Sequence, residues 1–378
     1  MKIGITTIFP GNINYGGMLQ AYALPYAIKQ IRGGGKICVE QINFEYTGNP
    51  LYPNLLSRCK QYSLRQIVAK VKEMRMSKKT YLISDKLKKR ISLFEDFRSK
   101  YIPQSALYGV NDHEKIGKDY DVLITGSDQV WNPNVVRDVF MFDFPTRAKK
   151  ISYAASIARL SLSSEEKKYM LPRIGKFDFI GVRELSAKNI LVSEGIDSNV
   201  VLDPTMLLTQ EEWSEVVSPR LISEKYVLLY SFSDCCLKKQ IEEYYASKNI
   251  KVAQIPYVKM CFNPYDGKST FEKMWDVGPS EFLSLVKYAE HVYTDSFHGT
   301  VFSILFHKQF TVFERAHKAG KVSMSSRITD LLKTFGLSDR LSNDSLLTSQ
   351  NIDYNQVEPI LCKLRKESKD WLANSINS

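Results

Sequence analysis

Ile3-Gly-Ile-Thr-Thr-Ile8, then Pro10-Gly-Asn-Ile-Asn-Tyr-Gly-Gly17, then the helical spacing of Met18 to Gln30 and, past Gly33-Gly-Gly35, the run Lys36 to Phe44: these opening residues decide the class of fold. The first run is short, continuous and rich in β-branched residues, as a strand buried on both faces is, and it passes through a glycine-rich loop into an apolar helix. A second strand behind the triple-glycine breaker completes a βαβ unit, so the two strands are expected to be parallel neighbours.

The same alternation continues outward. Tyr120 to Thr125 reads as a strand leading into Gly126-Ser-Asp-Gln-Val-Trp131, and Lys150 to Ala155, Phe177 to Val182 and Asn199 to Leu202 add strands, each followed by a loop at one common edge. After a break at Ser218-Pro219 the pattern restarts with Tyr226 to Phe232, a helix from Leu237 to Lys248 and a strand from Lys251 to Ile255. The helix Pro279 to Ala289, the strand His291 to Thr294, a helix opening at Ser296 to Gly299 and the strand Gln309 to Phe313 complete it. The expected class is α/β, with two Rossmann-like doubly wound domains. Their expected limits are 1–219 and 220–345, followed by a helical tail, 346–378, that packs back on the first domain.

A chain of 378 residues exceeds what one hydrophobic core usually serves, and 44% hydrophobic with 25% charged residues is the composition of a self-sufficient globular protein. The start is too short and too β-branched for a signal peptide, and no apolar run reaches the roughly 18 residues of a membrane span, so a cytoplasmic location is expected. Cys38, Cys59, Cys235, Cys236, Cys261 and Cys362 show neither paired nor metal-ligand spacing and read as reduced thiols. The net charge of +11 attracts anions of any kind. Basic residues are densest in 58–100, through Lys70, Lys72, Arg75, Lys78, Lys79, Lys86, Lys88, Lys89 and Arg90. That segment reads as a solvated helical face or as a face resting on anionic lipid, and no nucleic-acid motif accompanies it.

Seven landmarks stand in order over about residues 1 to 335: Asn14-Tyr-Gly-Gly17, Gly126-Ser-Asp-Gln-Val-Trp-Asn132, Tyr153-Ala-Ala-Ser156, Val182-Arg-Glu184, Asp203-Pro-Thr205, Asp295-Ser-Phe-His-Gly299 and Ser326-Arg327. In this succession the chain resembles the polysaccharide pyruvyl transferases. The resemblance implies two Rossmann-like domains facing across a cleft, a GT-B-like arrangement, and transfer of a pyruvyl unit from phosphoenolpyruvate onto hydroxyls of a sugar. It implies an acceptor in a cell-surface polysaccharide or its polyprenyl-diphosphate-linked precursor at the inner face of the membrane.

Making a ketal from phosphoenolpyruvate requires cations for the donor's phosphate and carboxylate, an acid for its methylene carbon and a base for the attacking hydroxyl. His298, beyond a strand and at a helix opening beside Gly299, is the first candidate: it supplies the proton, holds an acidic group of the donor as an imidazolium, or merely packs at its helix. Ser296 is either an N-cap or a donor contact, and the helix start suits an anion either way. Arg183 and Arg327 suit the donor's acidic groups, since a guanidinium grips them with two parallel bonds, or else serve surface ion pairs. Lys321 and Arg315 are lesser candidates. Asp128 is a candidate base or acceptor contact, and Trp131 offers a face that stacks on a hexose; the plain alternatives are a capped turn and interdomain packing. Asp295 is placed to orient His298. Asn12, Asn14, Tyr15, Gly16 and Gly17 form a turn without the dinucleotide spacing, and on family geometry it faces the acceptor while His298 and Arg327 hold the donor.

No metal-ligand spacing and no Asp-x-Asp sugar-nucleotide motif is present in the sequence, so neither an obligatory metal nor a cofactor other than the donor substrate is expected. Two other functions share the pattern: a glycosyltransferase that uses a nucleotide sugar, and a non-catalytic glycan-binding protein.

Overall fold

The computed structural model describes residues 1–31, 37–46, 48–52, 84–257, 269–314, 326–347 and 351–378. They fall into two compact units: Met1–Arg58, Arg98–Leu208 and Pro359–Ser378 form the first, Cys59–Phe97 and Thr209–Glu358 the second.

In chain order the elements of the first part are β1 (Lys2–Thr6), α1 (Tyr15–Ile31), β2 (Cys38–Gln41), α2 (Ser84–Tyr101), α3 (His113–Asp119), β3 (Val122–Thr125), β4 (Lys149–Ala155), α4 (Ser164–Ile174), β5 (Phe179–Val182), α5 (Leu185–Val192) and β6 (Asn199–Val200). Then come α6 (Gln210–Ser214), β7 (Tyr226–Tyr230), α7 (Lys238–Ser247), β8 (Lys251–Ile255), β9 (Glu272–Lys273), α8 (Pro279–Lys287), β10 (His291–Thr294), α9 (Phe297–Leu305), β11 (Gln309–Val312), α10 (Ser326–Thr334) and α11 (Tyr354–Asn377).

The first unit's sheet has the order β2-β1-β3-β4-β5-β6 and the second's β11-β10-β7-β8-β9, with parallel pairing throughout. Parallel pairing puts the carboxyl end of every strand at the same edge of its sheet. Each order also reverses direction once, between β1 and β3 in the first sheet and between β7 and β10 in the second, and at such a reversal the flanking loops diverge and leave room for ligand contacts. β3 and β7 are buried along their whole length, as strands covered on both faces must be.

The expected limits shift for identifiable reasons. The boundary lies at 208/209 rather than at 219/220, because Trp213 on α6 packs edge-on against Phe302, with 5.0 Å between ring centres, and holds this segment to the second unit. Residues past 346 stay there too, tied by the Leu346 carbonyl to the Thr311 hydroxyl (2.8 Å) and by the Tyr354 hydroxyl to the Ser303 carbonyl (3.2 Å). The remainder of α11 belongs to the first unit. Trp371 lies so close to Gly181 of β5 that a Cβ there would sit 2.8 Å from the indole, and Ser368 accepts the Leu202 N–H at 3.0 Å.

Helix α1 begins at Tyr15, three residues before the expected Met18. Asn14 accounts for this: its Oδ1 accepts the Gly17 N–H at 3.1 Å, an N-cap bond that draws Tyr15, Gly16 and Gly17 into the first turn.

The basic segment is only partly described; Lys70, Lys72, Arg75, Lys78 and Lys79 lie outside the described residues. On α2, Lys88 pairs with Asp85 at 3.1 Å and Lys89 with Asp276 at 2.8 Å. Arg90 is buried and donates to the carbonyls of Pro256 (2.8 Å), Met274 (2.9 Å) and Trp275 (2.8 Å), so it fastens the loops after β8 and β9. The expectation of a solvated or lipid-facing side chain is therefore corrected for Arg90. No helix among the described residues is long and apolar enough to cross a membrane.

Candidate functional site

At the carboxyl edge of the first sheet the chain turns sharply after β3. Gly126 has φ +130° and lies so close to the Tyr153 carbonyl that a Cβ would stand 2.0 Å from its oxygen, so only glycine fits. Asp128 follows with φ +61°, left-handed backbone that aspartate tolerates better than most residues. Its own carbonyl accepts the Ser156 N–H at 2.9 Å, which fixes the turn to the end of β4.

Arg183, directly after β5, ends beside that turn. Its side chain is 1% exposed and points among three carboxylates: Asp203 at 2.9 Å, Asp128 at 3.4 Å and Glu184 at 3.8 Å. Burial works against its charge, but Asp203, Asp128 and Glu184 outweigh burial and hold the guanidinium pKa above its ordinary value. The structure thus gives Arg183 neither a surface ion pair nor an open fork for a donor, and both expectations are corrected: its hydrogen-bonding edge is directed to carboxylates of its own unit. Asp128, 15% exposed, is the least covered of the three acids.

Trp131 is fully buried, edge-on to Phe177 with 5.5 Å between ring centres, and its indole N–H donates to the Phe140 carbonyl at 3.4 Å. With both faces inside the first unit's core it offers no surface to a hexose. The expectation of sugar stacking is corrected, and the packing is within one unit. Tyr15, Gly16 and Gly17 are likewise buried in the first turn of α1, while Asn14 and Asn12 remain partly exposed. Asn12 accepts the Asn14 N–H at 2.9 Å and donates to the Ile8 carbonyl at 2.8 Å, so the turn is braced by its own side chains.

In the second unit the candidate residues meet at the start of α9. Ser296 is the N-cap: its Oγ accepts the Gly299 N–H at 3.2 Å. Gly299 has no room for a side chain, because a Cβ would stand 2.4 Å from Thr294 Oγ1. His298, in the first helical turn, has its ring edge-on to Phe297 at 5.2 Å, and the Arg327 guanidinium lies 5.9 Å from the centre of the same ring. All three sit where the partial positive charge of a helix start favours an anion. His298 and Arg327 are both 6% exposed. The two oxygens of Asp295 accept the Phe232 N–H and the Ser233 hydroxyl, each at 2.7 Å, and tie the loops after β7 and β10 together. Arg315 and Lys321 lie outside the described residues.

Three residues without an expected role emerge as parts of these sites. The Phe297 ring is the surface shared by His298 and Arg327. Glu184 and Asp203 complete the acid cluster, and the signal for each was its place in a landmark, Val182-Arg-Glu184 and Asp203-Pro-Thr205. Among the described residues no group of three or more His, Cys, Asp or Glu is placed to hold a metal ion.

Comparison with solved structures finds the fold elsewhere. UDP-GlcNAc 2-epimerase from Methanocaldococcus jannaschii is 13% identical, with 97% of this chain and 92% of that chain covered and a TM-score of 0.50. UDP-GlcNAc 2-epimerase from Neisseria meningitidis is 10% identical over 99% and 94% of the two chains at a TM-score of 0.45. ADP-heptose LPS heptosyltransferase II from E. coli is 10% identical over 98% and 100% at 0.38. The likeness is one of fold, and with the two parallel sheets it makes the class α/β with two Rossmann-like units of GT-B type. A comparison with curated protein sequences found no match. The family model described as polysaccharide pyruvyl transferase matches residues 14–317. That span runs from the N-cap of α1 past His298, and on it the chain belongs to the polysaccharide pyruvyl transferase family.

Proposed function

We propose that this protein transfers a pyruvyl group from phosphoenolpyruvate to two hydroxyls of one sugar, forming a pyruvate ketal and releasing inorganic phosphate. The observation that supports the donor half is the meeting of an imidazole and a guanidinium on the Phe297 ring at a capped helix start, where a small dianion finds two cationic or donor groups and a helix dipole together.

In this reading Arg327 grips the donor's carboxylate or phosphate and His298 delivers a proton to the methylene carbon. That carbon becomes the methyl group, and a sugar hydroxyl bonds to the adjacent carbon. Asp128 takes the proton that this hydroxyl loses. A second hydroxyl of the same sugar then bonds to that carbon, and phosphate leaves with the C–O electron pair and takes up the proton that this hydroxyl loses. The acceptor belongs to an exopolysaccharide or capsular polysaccharide, or to its lipid-linked precursor, with the enzyme at an anionic membrane surface. Membrane association of this kind weakens as salt rises.

The deciding experiment supplies labelled phosphoenolpyruvate and oligosaccharide acceptors and follows phosphate release and acid-labile ketal in the sugar product. Stoichiometric phosphate and ketal support the reading. Consumption of a nucleotide sugar without phosphoenolpyruvate would replace it by glycosyl transfer.

A further inference from the structure

We infer that Asp203 is a positioning residue which, through Arg183 and Ser127, holds Asp128 in its left-handed turn at the carboxyl edge of the first sheet. This rests on the assignment of Asp128 as the acceptor's base.

Asp203 has no exposed side-chain surface, and its carboxylate accepts four hydrogen bonds. Two come from Thr205, from the N–H at 3.0 Å and the hydroxyl at 2.7 Å, and they fix the plane of the carboxylate against its own turn. The other two reach separate strands. Ser127 donates its hydroxyl from the turn after β3 at 3.0 Å, and Arg183 donates from the end of β5 at 2.9 Å. Arg183 then reaches Asp128 Oδ1 with its second terminal nitrogen at 3.4 Å. Asp203 therefore grips the residue before Asp128 directly and the Asp128 carboxylate through one guanidinium.

The geometry needs such a grip. Asp128 holds a positive φ, which aspartate tolerates but does not prefer, so bonds from its surroundings are needed to keep the turn in one conformation. A buried guanidinium among carboxylates is also a poor source of net stability compared with apolar packing, and its best-attested use is to select one arrangement among several. From the other side Gln20 braces the same turn, its carboxamide accepting the Ser127 N–H at 3.2 Å and donating to Thr7 Oγ1 at 2.8 Å. The turn is thus held at Ser127 by backbone and side chain, and at Asp128 by charge.

The test compares Asp203→Asn and Ser127→Ala with the parent protein, in steady-state kinetics and in crystal structures. A small displacement of a base reduces turnover far more than binding, so D203N should lower kcat by roughly 10- to 100-fold and S127A by about 3- to 10-fold, with both KM values within about threefold of the parent. The crystal structure of D203N should show Asp128 out of the left-handed region. If D203N fails to fold, S127A carries the test alone, since it deletes a single hydroxyl. Parental kcat in S127A, or a loss lying wholly in the donor KM, overturns the inference. If the parent protein does not turn over phosphoenolpyruvate, the assignment of Asp128 as base fails and the kinetic comparison falls with it, whereas the positioning claim is then decided by the D203N crystal structure and fails if Asp128 keeps its turn unchanged there.

Discussion

Where the first sheet's carboxyl edge gathers three carboxylates around one guanidinium, the second sheet's gathers an imidazole and a guanidinium around one aromatic ring and a helix start. The two edges arise from the same topology, a parallel sheet whose strand order reverses once, and they differ in the residues that follow the strands. At the first, Arg183 is drawn inward and its charge is met by acids of the same unit. At the second, the acid at the strand end, Asp295, is taken up by the Phe232 N–H and the Ser233 hydroxyl, and Arg327 faces an aromatic ring. Two arginines that look alike in the sequence thus meet different surroundings, one among carboxylates and one beside an aromatic ring at a helix start.

The sharpest way to break this contrast is His298→Ala. If the second edge supplies the proton, kcat for phosphate release should fall by roughly 10²- to 10⁴-fold while thermal unfolding is unchanged, and near-parental turnover would remove His298 from the mechanism. Next in size is a matched pair. Arg327→Lys, losing a two-bond grip, should raise the donor KM by about tenfold or more with a smaller change in kcat, whereas Arg183→Lys should lower kcat and leave the donor KM within about threefold. Equal effects in the two variants would erase the distinction between the arginines.

A smaller effect, at the opposite, amino end of β10, is read by pH. Burial, with Arg340 adding to it, pushes the His291 pKa down from 6.5 to about 3, and its ring bonds Thr311 Oγ1 at 2.9 Å. The native protein keeps this histidine neutral while the unfolded chain protonates it. Its contribution is complete above pH 6.5 and declines as pH falls from there toward 3, by at most about 1.4 kcal/mol per unit. Thermal unfolding followed from pH 7 to pH 4 should show that slope, flattened in His291→Gln; an unflattened slope would place the titration elsewhere. The smallest effect is Ser296→Ala, which removes the cap on α9 and should cost about 1 kcal/mol in chemical denaturation. A change near zero would mean that the helix start is held by other bonds.

Much of this architecture is legible in the chain. Ile3 and Ile5 lie with no exposed surface in β1, and His291 to Thr294 is a strand within the limits its apolar run predicts. The start of α1 was less legible, because Gly16-Gly17 reads as a breaker until Asn14 is seen to cap the turn that contains it. Least legible was Arg183. Its neighbours in sequence give no sign that Asp203, twenty positions on, and Asp128, fifty-five positions before, surround it, and burial of a charge is decided by such distant partners. Trp131 failed for the same reason: an aromatic ring after a strand suits a ligand or a core equally, and Phe177 decides which. Local pattern sets strands, helices and their edge; the pairing of long side chains across that edge depends on tertiary placement.

The seam between Gly181 and Trp371 bears on the order in which the protein takes shape during synthesis. The second unit's residues all lie within Cys59–Glu358, between the first and last segments of the first unit. A nascent chain that has released residue 358 from the ribosome holds everything the second unit needs, while β5 still lacks the indole that closes over it. The unit whose synthesis begins first is therefore finished last, and until Trp371 emerges, β5 at Gly181 lacks the indole that covers it and stays open to whatever escorts new chains in the cell.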